Sequence, residues 1–391
     1  MRDIVCSTLL DWRKLYAANR AVIEGRASGP APVLPDLTAL SERTSHPTAL
    51  PDLPGLSGRS SAPARPGRRR ASSHQEGLPP TAPSASAGTW EAFNHTDRSG
   101  PRPYFVYTPA SARLGVATPL VVVLHGCTQT AASSAAGTLM NAAADRHGFV
   151  VAYPQQGREH NPQACWNWFV PTHQARGGGE PDFIAAVART VMAGTSDRTI
   201  DPNRVLVAGM SAGGAMAAVM GATHPDVFAA VAIHSGLAFG SATNPGAAFA
   251  VMSRGAPDAA RHGELAFRTM GDRARPIPTI VLHGGADRLV APANGEHAVR
   301  QWMTTNRLAS GSYDPDFERP ASTEREQAPG GHSYTTRRWT DRRGRLVQEY
   351  VVVEGLGHAW SGGARGEPYA DPRGPSAADA IWRFLGAATG T

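Results

Sequence analysis

With 391 residues and 41% hydrophobic content, the chain is long enough for one large core or two modest ones. No apolar run reaches the roughly 18 residues needed to cross a bilayer as a helix, so a soluble protein is expected. The formal charge of +6 sits mostly at the N-terminus, where the first 88 residues hold 11 Arg and Lys against 7 Asp and Glu, and this argues against nucleic-acid binding by the rest.

The opening "MRDIVCSTLLDW" is a poor signal peptide, because an aspartate flanks its arginine and Asp11 ends its broken apolar part. Val5, Leu9, Trp12 and Tyr16 recur at helical spacing, which predicts a short amphipathic helix within residues 1–26. Residues 27–88 are dense in Pro, Ser, Ala and Arg with few large apolar side chains, so burial could not offset the entropy of ordering them, and a disordered linker is expected. Its "RPGRRR" run, Arg65–Arg70, lacks interleaved aromatics and reads as solvated charge rather than a binding patch.

From Thr89 to the end the texture is that of one α/β domain, 89–391. "TWEAFNHTDRSGPRPYFVYTP" alternates around a Gly-Pro break and predicts an antiparallel hairpin. Short β-branched runs then alternate with alanine-rich stretches: "PLVVVLHG", a helix over 135–147, "GFVVAYP", a helix over 181–193, "RVLVAGM", a helix over 212–223, and "FAAVAIHSG". Continuous apolar strands between helices imply a mostly parallel central sheet with helices on both faces. Residues 237–276 show no strong period and read as an excursion over the sheet. "PIPTIVLHGGADRLV" returns to strand, 294–308 reads as helix, "RRWTDRRGRLVQEYVVVEG" as a hairpin carrying the last strand, and "SAADAIWRFL" as a closing helix.

In such a sheet, loops and helix N-termini converge at the carboxyl ends of the strands, and chemistry gathers there. "GMSAGGAM" puts Ser211 at one such end, flanked by Gly209 and Gly213 in a Gly-x-Ser-x-Gly pattern. That pattern suits a nucleophile on a strained strand-to-helix turn, where only glycine lets neighbouring backbone approach. A serine hydroxyl needs a base to take its proton and a third group to orient the base. Asp287 follows one later strand and His358 the last one, in the expected order of serine, acid, histidine. Glu354, close before His358, reads first as a cap of the last strand and second as a fallback orienter; Asp272, Asp314 and Asp316 read as solvated loop charge, and His234, which precedes any suitable acid, as a hydrogen-bonded core histidine. The oxyanion of an acyl-transfer intermediate needs two N–H donors, for which the backbone amides of Ala212 and Cys127 are candidates. A Cys127 thiol nucleophile is the minority alternative.

Together "LHGCTQT", "CWNWF", "GMSAGGAM", "HGGADRLV" and "GHAWSGG" resemble the polyhydroxybutyrate depolymerase family of α/β-hydrolase esterases, which in turn is similar to feruloyl and acetylxylan esterases. The resemblance covers roughly Thr89 to Leu385. It implies the α/β-hydrolase fold, a triad of Ser211, Asp287 and His358, an oxyanion position at Cys127, an ester substrate and an extracellular location, against the cytoplasmic one that the N-terminus favours. The chain stops soon after "IWRFLGAATGT", so a soluble oligomer or small ester is expected in preference to crystalline polymer. Cys127 and Cys165 follow successive core strands, so a disulfide between them is expected to stiffen the oxyanion loop. Trp166, Trp168 and Trp360 either wall an acyl pocket, with Asn167 donating to an ester oxygen, or close the core beneath a loop. Neither the cysteines nor the histidines have zinc-ligand spacing, so no metal or cofactor is expected. The reading from a different class is a binding protein that uses a hydrolase fold as scaffold.

Overall fold

The structure, a computed structural model, describes residues 88–97, 100–112, 115–194, 199–311 and 319–389. The expected helix in 1–26 and, but for Gly88, the expected linker in 27–88 lie outside the described residues, as do Asp314 and Asp316.

Among the described residues ten strands form one sheet, in the order β1-β2-β4-β3-β5-β6-β7-β10-β9-β8. The predicted opening hairpin is β1 (Thr89–Asp97) and β2 (Gly100–Thr108), paired antiparallel from Thr89↔Thr108 to Asp97↔Gly100. The parallel centre comprises β3 (Thr118–Leu124), β4 (Val150–Pro154), β5 (Ile200–Met210), β6 (Ala230–His234), β7 (Thr279–Gly284) and β10 (Leu346–Val353). At the far edge β9 (Ser333–Thr340) pairs antiparallel with both β10 and β8 (Ser322–Gln327). Two short strands, β11 (Trp360–Ser361) and β12 (Ala370–Asp371), form a separate parallel pair.

The strand pleat sends alternate side chains to opposite faces, and each face builds its own core. Leu120, Val122, Val205 and Val207 pack with Trp166, Phe183, Met216 and Trp302. Val121, Val123, Leu206 and Ala208 pack with Tyr107, Phe149, Tyr153, Trp360 and Phe384. Full burial of each such aliphatic side chain contributes about 1.5–3 kcal/mol, so strands without a polar face are stable only when both faces are covered. The covering helices are α1 (Ala131–Thr138), α2 (Met140–His147), α3 (Gly179–Ala193), α4 (Ala212–Thr223), α5 (Pro245–Arg254), α6 (Ala259–Met270), α7 (Ala293–Ser310) and α8 (Ala377–Thr389). All twelve residues of α4 are buried. Its small side chains let it lie close under the sheet, and a Cβ at Gly221 would come within 2.5 Å of the Trp302 ring.

Two expectations are corrected, and one strand has no counterpart among them. The helix predicted over 135–147 is two helices broken at Leu139, which takes a left-handed conformation (φ 56°, ψ 23°). The 237–276 excursion contains α5 and α6, started by the side-chain caps of Asn244 and Asp258. These cap signals are local, while the apolar period between them is weak. The edge strand β8 was also not predicted; its "STEREQ" sequence is almost wholly exposed and carries no buried alternation.

Among the described residues no helix is long and apolar enough to cross a membrane.

Candidate active site

β5 ends at Met210 and α4 begins at Ala212, so Ser211 alone makes the turn. Its backbone is held at φ 57°, ψ −121°, a region that costs a non-glycine residue about 1–3 kcal/mol and persists only where the surroundings impose it. The neighbours impose it sterically. A Cβ at Gly209 would run into the backbone of Gly213, and a Cβ at Gly213 into the carbonyl of Leu124. Ser211 N–H donates to the His234 carbonyl at 3.0 Å, and the Ser211 carbonyl accepts from Ala215 N at 2.9 Å.

The loop after β3 lies against this turn: a Cβ built on Gly126 would sit 3.6 Å from the Ser211 Cβ. Gly126 N–H donates to Gln129 Oε1 at 2.8 Å, which closes the loop on itself. The amides of Cys127 and Ala212 donate to no protein acceptor among the described residues, which is the condition for an oxyanion site. His125, just upstream, is buried, donates from Nδ1 to the Gly126 carbonyl at 2.8 Å and accepts the Gln156 N–H on Nε2 at 3.0 Å. Burial pushes its pKa down to about 4, so the ring is neutral and serves as a fixed strut.

Cys127 and Cys165 are joined as a disulfide, S–S 2.02 Å. Next to it Thr128 N–H donates to the Gln163 carbonyl at 2.7 Å, and both Thr128 (φ 63°) and Ala164 (φ 50°) take positive φ. Tyr369, also at positive φ (59°), brings its hydroxyl within 3.3 Å of Thr128 Oγ1 and so connects the loop to the segment beyond His358.

The expected acid and base meet on the other side. Asp287 is 4% exposed and His358 7%, with Asp287 Oδ2 2.8 Å from His358 Nδ1. The other carboxylate oxygen accepts the N–H groups of Leu289 and Val290, both at 2.9 Å. Burial pushes the Asp287 carboxyl up, but the adjacent His358, by charge and hydrogen bond, outweighs it with help from His283 and Val290, leaving the group below its ordinary value. His283 donates to the Val290 carbonyl at 2.9 Å and stands 3.6 Å from Asp287 Oδ2. The two loops interlock: Gly285 N donates to the Val353 carbonyl at 2.8 Å and Ala286 N to the Leu356 carbonyl at 3.0 Å. A Cβ on Gly284 would collide with Leu356 and Gly357. Glu354, the fallback orienter, is exposed and pairs instead with Arg325 of β8 at 3.0 Å.

The aromatic residues fall mostly to packing. Trp166 and Trp360 are 0% and 1% exposed, in the cores on opposite faces of the sheet, so neither walls an open pocket. Trp168 is 5% exposed and meets Phe169 edge to face. Asn167 is not free to donate to a substrate: its Nδ2 donates to Glu180 Oε1 at 2.5 Å and to the His160 carbonyl at 3.3 Å. Glu180, 1% exposed, also accepts Asn167 N–H at 2.7 Å and Gln156 Nε2 at 2.5 Å. Glu180 lies in the acidic first turn of α3, a position that by itself suits a helix N-terminus, and nothing in its sequence neighbourhood marks it as the buried anchor of the "CWNWF" loop. Among the described residues no group of three or more His, Cys, Asp or Glu side chains is placed to hold a metal ion.

With this geometry in place, the family described as Esterase PHB depolymerase matches residues 102–329, more than half of the chain. The chain belongs to that family. The matched span contains Ser211 and Asp287 and ends before His358. This depolymerase-family chain is 38% identical over 242 residues to poly(3-hydroxyalkanoate) depolymerase C of Paucimonas lemoignei, covering 61% of itself and 54% of that protein, about half its length. It is 30% identical over 265 residues to a probable acetylxylan esterase A of Aspergillus clavatus, covering 65% and 78%. Feruloyl esterase B of Neurospora crassa is 33% identical over 214 residues, covering 52% and 70%. The solved structure of an acetyl xylan esterase from Aspergillus awamori superposes with a TM-score of 0.59 at 21% identity, over 76% of this chain and 99% of that one. The fold is the α/β-hydrolase fold, as the sheet order also shows.

Proposed function

We propose that residues 89–391 form a serine esterase that hydrolyses carboxylic esters through an acyl-enzyme, without a cofactor, and that its substrates are poly- or oligo-hydroxyalkanoate esters such as those of hydroxybutyrate. The observation that carries the reading is the buried His358–Asp287 contact at 2.8 Å; it is supported by a strained serine elbow that follows β5, in the same parallel sheet as the strands that precede Asp287 and His358.

Ser211 Oγ attacks the ester carbonyl carbon while His358 Nε2 takes its proton, and Asp287 supports the imidazolium that results. The carbonyl oxygen, now an oxyanion, accepts from the amides of Cys127 and Ala212. As the intermediate collapses, the ester C–O bond breaks and His358 returns the proton to the departing alkoxide. Water then attacks the acyl-enzyme with His358 again as base, which releases the acid and restores the serine. The Cys127–Cys165 bridge favours an oxidising compartment and so supports the extracellular reading.

The substrate class rests on the hydroxyalkanoate depolymerase among the relatives; acetylxylan and feruloyl esterases among the same relatives favour carbohydrate esters as the second reading. A fluorophosphonate probe is expected to label the intact protein and not Ser211→Ala, with turnover of hydroxybutyrate oligomers exceeding that of feruloyl and acetyl-sugar esters. Higher turnover of the sugar esters would favour the second reading. Folded protein that takes no label would overturn the enzyme in favour of a binding protein on this fold.

A further inference from the structure

Among the described residues His234 is a buried histidine that touches both the serine turn and the loop bearing His358. It ends β6 and is 1% exposed. Through its backbone it holds the serine, since its carbonyl accepts Ser211 N–H at 3.0 Å. Through its ring it holds the other loop. Nε2 accepts the N–H of Ser361 at 3.1 Å, and the imidazole stacks on Trp360, centroids 4.9 Å apart and planes 20° from parallel. Trp360 and Ser361 follow His358 closely, in the short strand β11.

The ladder of β11 leaves this N–H for the ring. Trp360 N donates to the Tyr369 carbonyl at 2.7 Å and Gly362 N to the Asp371 carbonyl at 2.9 Å, while the intervening Ser361 N–H points the other way, to His234. An imidazole nitrogen accepts only when it carries no proton, so the ring must be neutral with its proton on Nδ1. Ser235 Oγ lies 3.2 Å from Nδ1 and receives that proton's hydrogen bond. Burial, then the nearby His283 and His358, push the pKa down to about 3, so the required neutral form prevails at ordinary pH.

We propose that His234 is a positioning residue for the esterase reaction: its ring, by accepting Ser361 N–H and stacking on Trp360, sets the place of the His358 loop relative to the Ser211 turn. This rests on the esterase reading above. The chemistry needs the base to meet the serine hydroxyl at hydrogen-bond distance. A misplacement of about 1 Å costs on the order of a hundredfold in rate, and the His234 ring is a tie that reaches this loop from the strand whose last carbonyl also holds the serine.

The test uses the full chain with two variants and a soluble short-chain ester. His234→Phe keeps an aromatic ring against Trp360 and removes the acceptor; His234→Gln places an amide oxygen near the position of Nε2. The expected result is a fall in kcat of about ten- to a hundredfold for the Phe variant with KM changed less than about twofold, and recovery of most of that loss in the Gln variant. A Phe variant with the parent's kcat overturns the proposal, as does a Gln variant equally impaired at the parent's melting temperature. Should the Phe variant not fold, nitrogen-15 NMR of the histidine rings in the parent decides the matter. His234 with a proton on Nδ1 and a bare Nε2 at neutral pH supports the proposal, and the opposite tautomer overturns it. Because the NMR measurement needs no turnover, a parent protein without esterase activity would sink the enzymatic reading separately.

Discussion

The serine side of the site and the acid–base side are held by different kinds of contact. Ser211 is fixed largely by its own neighbours: Gly209 and Gly213 touch within one turn, and the backbone of Leu124 and of His234 and the Gly126 loop close in from a distance. Asp287 and His358 lie 71 residues apart and are joined by a side-chain contact, by backbone bonds between two loops, and by Gly284 packed against Leu356. One half is a local motif and the other a long-range assembly. A local motif is written in spacing, whereas an assembly is written in packing, and the two fail differently when disturbed.

The largest effect is expected from breaking the long-range half. Asp287→Asn keeps the shape but favours the wrong histidine tautomer, and kcat/KM for a soluble ester should fall by on the order of 10⁴ with little change in melting temperature. Retention of more than a tenth of the parent rate would mean that Asp287 does not orient His358. Next in size, Gly213→Ala attacks the local half by steric collision with Leu124, so the loss should be in folding. Overpacking of this kind costs about 1–3 kcal/mol or more, read as a lower urea midpoint.

Acid should weaken the buried histidine struts by protonation. His125 and His234 are neutral when folded, with values pushed to about 4 and about 3. An unfolded histidine takes a proton near pH 6.5, so their contribution is complete above that pH and is lost as pH falls toward 4 and then 3. Stability should drop by about 1.4 kcal/mol per histidine for each pH unit over which only the unfolded chain binds the proton. Denaturation midpoints between pH 7 and 4.5 check this, and a flat profile would mean that these rings are charged or exposed in the native state. The smallest effect is expected at Glu354. Its exposed pair with Arg325 is worth about 0–1 kcal/mol, so Glu354→Gln should leave turnover within about twofold of the parent. A thousandfold loss would restore Glu354 as the orienter in place of Asp287.

Much of the fold was legible because its strands are unbroken apolar runs and its best helices begin at recognisable signals. α4 occupies the predicted 212–223, and β9 and β10 form the predicted hairpin. What escaped was either weakly patterned or held from a distance. α5 and α6 carry cap residues without a clear apolar run, and the break at Leu139 sits inside a helix-favouring alanine-rich stretch. In the candidate site, the strained Ser211 turn and the Asp287–His358 contact lie where motif and order pointed, while Asn167 was misjudged. Its tryptophan neighbours suggested a pocket, yet a buried carboxylate thirteen residues on takes its amide. No spacing rule encodes that Glu180 turns inward.

The sequence by itself determined the alternation of strand and helix and the glycine-framed serine turn, because each depends on side-chain period or on steric needs within a few residues. Only the tertiary structure decided that Glu354 faces Arg325 while Asp287 faces His358, that Trp166 and Trp360 serve the core, and that the His234 ring meets Ser361 N–H across 127 residues of chain. Those outcomes depend on where separate strands end relative to one another, and packing of the whole sheet sets that.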